Sequence, residues 1–289
     1  MIRRQEIELI RIFSAFGIVW FHTASIGKDF GYSGLIVFLI ISAFFSASPS
    51  KNKKPLLEKV RRLIIPWMAW FLFYGFLNVF MKKPFVDLHD GAVSGILVGT
   101  SIHLWYLPFI FFVAVAVESI KRQVTPEQMA YVSAALIVCF FYFAEFWRSL
   151  SLTNPWEQYI HAFGGVLVGV YFANCSFVNK YINILFLFVC TILTISLFSI
   201  PGIGIPYFIG ITVCEIAILP TWRIPSFVDF SRITDCTLGI YLSHPFWYLL
   251  LYKIHIKDPL IMPFAVFFMS LVSVLLLKFI MPKLSRYVV

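Results

Sequence analysis

Ile7-Glu8-Leu9-Ile10-Arg11-Ile12-Phe13-Ser14-Ala15-Phe16-Gly17-Ile18-Val19-Trp20-Phe21-His22-Thr23-Ala24-Ser25 is a stretch long enough to cross a bilayer, yet it holds ionisable groups. An ionisable side chain at membrane depth is costly and marks a functional site by default. Arg11 and His22 are eleven positions apart. At about 100° per residue this returns them to nearly one helix face, roughly 16 Å apart along the axis. Glu8, Ala15, Ile18 and Val19 share that face. Glu8 lies one turn from Arg11 and can offset part of the cost of burying it.

Working outward, the bulk composition extends the same reading to the whole chain. Of 289 residues 60% are hydrophobic and only 13% charged, with 33 Phe. A water-soluble fold could not keep that much apolar surface covered. Apolar runs of suitable length fall at about 7–25, 32–48, 63–81, 103–120, 129–147, 157–173, 181–199, 203–220, 236–253 and 260–281. The expected fold is all-α, a polytopic transmembrane bundle of about ten helices forming a single domain over 1–289. The first run is not expected to be a cleaved signal, because Arg11 interrupts its apolar region. No internal repeat is visible. Neither Pro49–Arg62 nor Lys82–Ile102, the longest non-apolar segments, is expected to build a core of its own.

Lys and Arg set the orientation. With a cytoplasmic N-terminus, fifteen cations fall inside, among them Arg3, Arg4, Lys51, Lys53, Lys54, Lys59, Arg61, Arg62, Lys121 and Arg223. Only Lys28, Lys82, Lys83, Arg148, Lys253 and Lys257 fall outside. Both termini are then cytoplasmic. The net charge of +9 is explained by membrane lipid at the inner face, with no nucleic acid implied. Cys139, Cys175, Cys190, Cys214 and Cys236 have no paired spacing and read as small core residues, with neither a disulfide framework nor a metal site. The breaks at Ile200-Pro201-Gly202 and Leu219-Pro220 read as helix ends.

Lys59-Val60-Arg61-Arg62-Leu63-Ile64-Ile65-Pro66 leads a cationic cluster straight into the third run. It reads either as an anchor for lipid phosphates or as a polyanion site, since Lys59 and Arg62 share a face of a regular helix and Arg offers a planar fork to phosphate oxygens. His103-Leu104-Trp105-Tyr106-Leu107-Pro108 opens the fourth run. Gly239-Ile240-Tyr241-Leu242-Ser243-His244-Pro245 lies in the ninth. Each His alone reads as a hydrogen-bonded core residue, and Trp105, Tyr106, Trp147, Trp156 and Trp247 as an interfacial aromatic belt. His161 is a weaker candidate, and His89 and His255 carry no specific signal.

In these segments the chain resembles the acyltransferase 3 family of integral-membrane acyltransferases, almost end to end. Arg11, ten residues and His22, with acidic Glu8 ahead, is similar to the family's first-helix pattern. Gly34 through Ser42-Ala43-Phe44 resembles its Ser-Gly-Phe segment, with Ala43 where Gly is usual. Lys59, Arg62 and Pro66 resemble its basic pair, with Lys59 replacing an Arg. The segments at His103 and His244 resemble its later signatures.

The resemblance implies transfer of an acyl group, most often acetyl, from cytoplasmic acetyl-CoA to a saccharide hydroxyl, in the plasma (inner) membrane of a bacterium and without a metal. It implies His22 and Arg11 as catalytic residues, Lys59, Arg61, Arg62 and Arg11 as donor-binding residues, and Glu8, Ser42, His103, Trp105, Tyr241 and His244 as acceptor-binding residues. His22 would serve as general base or as transient acyl acceptor. The competing class, a transporter or flippase of a lipid-linked saccharide, predicts repeated halves and broken helices. Neither is evident in the sequence.

Overall fold

A computed structural model describes residues 3–48, 55–218, 224–225 and 227–289. Every regular element among them is helical. In chain order they are α1 (Gln5–His22), α2 (Lys28–Ala47), α3 (Leu56–Phe80), α4 (Ala92–Val98), α5 (Ile102–Ile120), α6 (Pro126–Tyr142), α7 (Ala144–Ser149), α8 (Trp156–Phe177), α9 (Lys180–Ser196), α10 (Gly204–Ile218), α11 (Ser231–Thr234), α12 (Thr237–Lys253), α13 (Ile261–Ile280) and α14 (Pro282–Val288).

Nine of the ten apolar runs each correspond to one helix, and the run 129–147 is divided at Phe143 between α6 and α7. Five of these, α2, α3, α5, α8 and α13, are long and apolar enough to cross a membrane. The expectation of about ten crossings meets two physical obstacles in the others. α1 carries Glu6, Glu8 and Arg11, and α6, α9, α10 and α12 have 17, 17, 15 and 17 residues. At 1.5 Å per residue, 17 residues give roughly 25 Å, a little short of the about 30 Å hydrocarbon core. The surface nonetheless demands an apolar solvent: Phe80 and Phe279 are 84% and 85% exposed, and water would not tolerate rows of such rings.

The contacts divide the chain into two compact units. The first, 1–41 with 179–285 and 289, is organised around α1, which packs against α10, α11, α12 and α13. Its apolar core joins Val19 to Cys236, Ile240, Leu251, Met262, Val266 and Val274. Close helix approach depends on glycine, because without a dry-to-wet driving force membrane helices gain from short backbone distances. A Cβ on Gly17 would lie 2.8 Å from the Gly31 carbonyl oxygen, and one on Gly34 would strike the Ser14 carbonyl. Gly239 is likewise pressed on Val274, 2.6 Å from where its Cβ would stand.

The second unit, 42–178 with 286–288, is dominated by the α6 and α8 pairing, where Gly164 sits under the Phe140 ring. α6 starts with a capping box, Thr125 accepting from the Gln128 amide and Gln128 accepting from the Thr125 amide. α3 widens into a π-helical turn over Val60–Ile64, where the Ile65 amide reaches the Val60 carbonyl. Pro66 follows at once and has no N–H for the Arg62 carbonyl, so the irregular turn falls where the regular ladder is already broken. Lys121 donates to the Ser46 and Ser48 carbonyls at 3.2 and 2.8 Å, completing the C-terminal end of α2.

The segment 82–102 contains α4 and buries Ser94 and Thr100, with glycines at 91 and 99 taking positive φ at its turns. Two expectations need correction. Cys139 is exposed, on the outward side of α6, unlike the other four cysteines, which are buried; all five are free thiols. Trp105, Tyr106 and Trp147 are buried among rings and form no belt, although Trp156 is 42% exposed. Lys51, Lys53, Lys54, Arg223 and the Leu219-Pro220 break lie outside the described residues.

Candidate active site

In the first unit α1 presents its polar groups at two levels. At the N-terminal level Glu6 and Glu8 are 2% and 6% exposed. Arg11 Nη1 lies 3.5 Å from Glu8 Oε2, so the ion pair expected from their spacing forms. Arg3 adds a second cation 3.9 Å from the same carboxylate and bonds Asp235 at 2.6 Å. That hydrogen bond, donated by Arg3 to the Asp235 carboxylate, holds the guanidinium above its ordinary pKa.

Glu6 escaped the sequence reading. Its carboxylate accepts the Ile224 amide at 2.7 Å, while Arg4 donates to the Ala217 and Ile218 carbonyls at the end of α10. These bonds stitch the start of α1 to chain more than two hundred residues away. The only available hint was a second acid, Glu6, two positions before Glu8.

At the other level stands His22, half-buried at the last turn of α1, with the residues after it drawn into a hydrogen-bonded hook. Trp20 Nε1 donates to the Ile26 carbonyl at 2.8 Å, and the Thr23 and Ser25 hydroxyls pair at 2.9 Å. His22 makes an edge contact with Phe21, and its ring centroid is 5.0 Å from that of His244, with the planes tilted by 45°. The face expected to hold Glu8, Ala15, Ile18 and Val19 is indeed the buried one.

His244 is fully buried in α12, and its local chemistry follows from the next residue. Pro245 has no N–H, so the Tyr241 carbonyl, four positions earlier, has no intrahelical amide to accept. His244 Nδ1 takes that position at 2.7 Å. Because a carbonyl only accepts, Nδ1 carries the proton and the neutral ring keeps its Nε2 lone pair. The Tyr241-Leu-Ser-His244-Pro245 segment is thus a device for setting one tautomer.

In the second unit, Ser42 and Tyr106 share a hydroxyl hydrogen bond of 3.0 Å. Trp105 packs with Phe109 and Tyr159, and His103 is held edge-on to Tyr74 with Nδ1 3.0 Å from the Ser101 hydroxyl. His161 is buried against Trp147. The shared face expected of Lys59 and Arg62 is not formed. Lys59 Nζ donates to the Ala114 carbonyl at 2.8 Å, whereas Arg62, 65% exposed in its side chain, reaches back to Glu58 at 4.0 Å. The π-turn between them alters the angular step that a regular helix would give. Arg61 is exposed beside it.

Helices with lipid-type surfaces, a first helix carrying buried acids and an arginine, and a histidine pair at its far end are the features of a helical integral-membrane protein with polar groups in its interior. The chain belongs to the acyltransferase 3 family: that family's acyltransferase domain matches residues 4–281. No curated protein and no solved structure matches it.

Proposed function

We propose that this protein transfers an acyl group, acetyl in the simplest case, from acyl-CoA to a hydroxyl of a saccharide destined for the cell surface. The observation that carries the proposal is the contact between His22 and a tautomer-locked His244, within a chain of an acyltransferase family. In the reaction the acceptor oxygen attacks the thioester carbonyl and gives its proton to the His22 imidazole. The carbon–sulfur bond breaks, and the same proton passes to the CoA sulfur, leaving an ester and free CoA. His244, with its Nε2 lone pair, orients the N–H of His22, so that the opposite nitrogen faces the acceptor.

Arg61 and Arg62 supply exposed guanidinium groups for the CoA phosphates. Arg11, tied to Glu8 and three turns below His22, guides the pantetheine arm along α1. In this reading all ten helical runs cross the plasma membrane of a bacterial cell, and the bias of Lys and Arg then supports cytoplasmic termini.

The test is incubation of the purified protein with radiolabelled acetyl-CoA and a set of saccharides. Label should appear in the saccharide with wild type and not with His22→Ala. Transmembrane movement of a lipid-linked saccharide without label transfer would instead assign the chain to the transporter class.

A further inference from the structure

The connection between α3 and α5, with Asn154, lines an open cavity of about 380 Å³, within the roughly 300–1,000 Å³ usual for small-molecule sites. Its lining departs from the usual apolar one. Lys83, Asp87, Asp90 and Ser94 face it, as do the backbone turns at Gly95 and Gly99 and the amide of Asn154. The walls are built. Asn78 fastens them by donating to the Thr100 carbonyl at 2.9 Å, and Thr100 in turn donates to Phe71 at 2.7 Å. Gly95 rides on the Asp87 carbonyl so closely that no Cβ could be placed there, and Gly99 adopts φ +87°. Ser101 lines the cavity and bonds His103 Nδ1 at 3.0 Å, so the buried histidine of the His-Leu-Trp-Tyr segment lies directly behind the wall.

We infer that this cavity binds the acceptor, and that the acceptor unit it takes is a neutral pyranose; the inference rests on the saccharide reading above. Carboxylates beside hydroxyl and amide groups match the vicinal hydroxyls of a sugar, which donate to Asp87 and Asp90 and accept from Lys83, Ser94 and Asn154. Two acids against one lysine leave the lining with a formal charge of −1. This disfavours uronic acids and phosphorylated sugars, because a like charge brought into a partly enclosed site is repelled.

The experiment uses the full chain in lipid nanodiscs. Methyl α-glucopyranoside, methyl α-galactopyranoside and methyl α-glucuronide are tested by saturation-transfer NMR without acyl-CoA, and then as acceptors with labelled acetyl-CoA. At least one neutral glycoside should show transfer from the protein and the glucuronide much less. Asp90→Asn should weaken binding and raise the acceptor KM on the order of tenfold. Ser94→Leu, which fills the cavity, should abolish binding. Both variants should keep wild-type affinity for acetyl-CoA, which reports that the chain is folded. Absence of glycoside binding to wild type, preference for the glucuronide, or unchanged acceptor KM in both variants would overturn the cavity assignment. Glycoside binding lost in Ser94→Leu but without acetyl transfer by wild type would leave the cavity standing and remove the acyltransfer reading.

Discussion

The imidazole of His22 at the end of α1 lies 5.0 Å from that of His244, whose Nδ1–H is claimed by a carbonyl that Pro245 leaves without its helical partner. A proline in mid-helix normally weakens the element; here its missing amide converts a backbone acceptor into a clamp on a side chain. The tautomer of His244 therefore depends on the residue after it.

Pro245→Ala tests this directly. The new amide competes for the Tyr241 carbonyl and frees the His244 ring, while the helix itself becomes more regular. We expect kcat to fall between roughly 10- and 100-fold, with KM for acetyl-CoA unchanged and the melting temperature equal or higher. A drop in melting temperature together with activity would show instead that Pro245 serves packing alone.

His22→Ala should lower kcat by about 10²- to 10⁴-fold, the usual contribution of a positioned base, while expression and membrane insertion stay at wild-type level. Its half-buried side chain touches only the Phe21 and His244 rings among the ring contacts of the described residues. Activity near wild type in steady-state assays would remove His22 from the mechanism.

Arg62→Ala and Lys59→Ala should separate cleanly. The exposed guanidinium of Arg62 is available to phosphate, so its loss should raise KM for acyl-CoA by roughly tenfold with little change in kcat. Lys59 is already held by Ala114. Its removal should instead destabilise the fold by about 1–3 kcal/mol, read as a lower melting temperature, with KM for acyl-CoA nearly constant.

Gly34→Ala should force α1 and α2 apart, because the added methyl meets the Ser14 carbonyl. A cost of about 1–3 kcal/mol is expected for overpacking of this kind, visible as earlier thermal unfolding in detergent. Gly27→Ala changes a position whose surroundings are open apart from Phe30. It provides the comparison, although its φ of +73° adds local strain.

Orientation is testable with single cysteines in a background lacking the native five. Asp90→Cys should react with an impermeant maleimide on intact cells, and Gln123→Cys, in the loop after α5, only after permeabilisation. Both positions are exposed. Asn52, the other informative position on the cationic side, lies outside the described residues. The reverse labelling pattern would invert the protein and separate cytoplasmic acyl-CoA from the Arg61–Arg62 pair.

Much of the architecture was legible from composition and period. The apolar runs became helices because nothing else satisfies a backbone in lipid. The Glu8, Ala15, Ile18 and Val19 face is buried because residues at that spacing share one side of a regular helix. The same rule failed at Lys59 and Arg62, where a π-turn changes the step. It could not reveal Glu6, whose partner Ile224 is 218 positions away. Nor could it reveal the cavity before α5, since a loop folded by Gly91 and Gly99 has no period to read. His22 and His244 were each visible as motif histidines; their contact depends on α1 and α12 packing together, which no local pattern encodes.

The stitching of α1 to the distal chain has a biosynthetic corollary. α1 is synthesised well before its partners: the Ile224 amide that meets Glu6 and the Thr234 hydroxyl that meets the Glu8 carbonyl are made 218 and 226 residues later. At about 5–20 residues per second of synthesis, the Glu6 carboxylate and the Glu8 carbonyl must wait roughly 10–45 s for these distal partners. Until the segment after α10 is made, the Glu6 carboxylate lacks the backbone amide it finally accepts, whereas Glu8 already has Arg11 on its own helix.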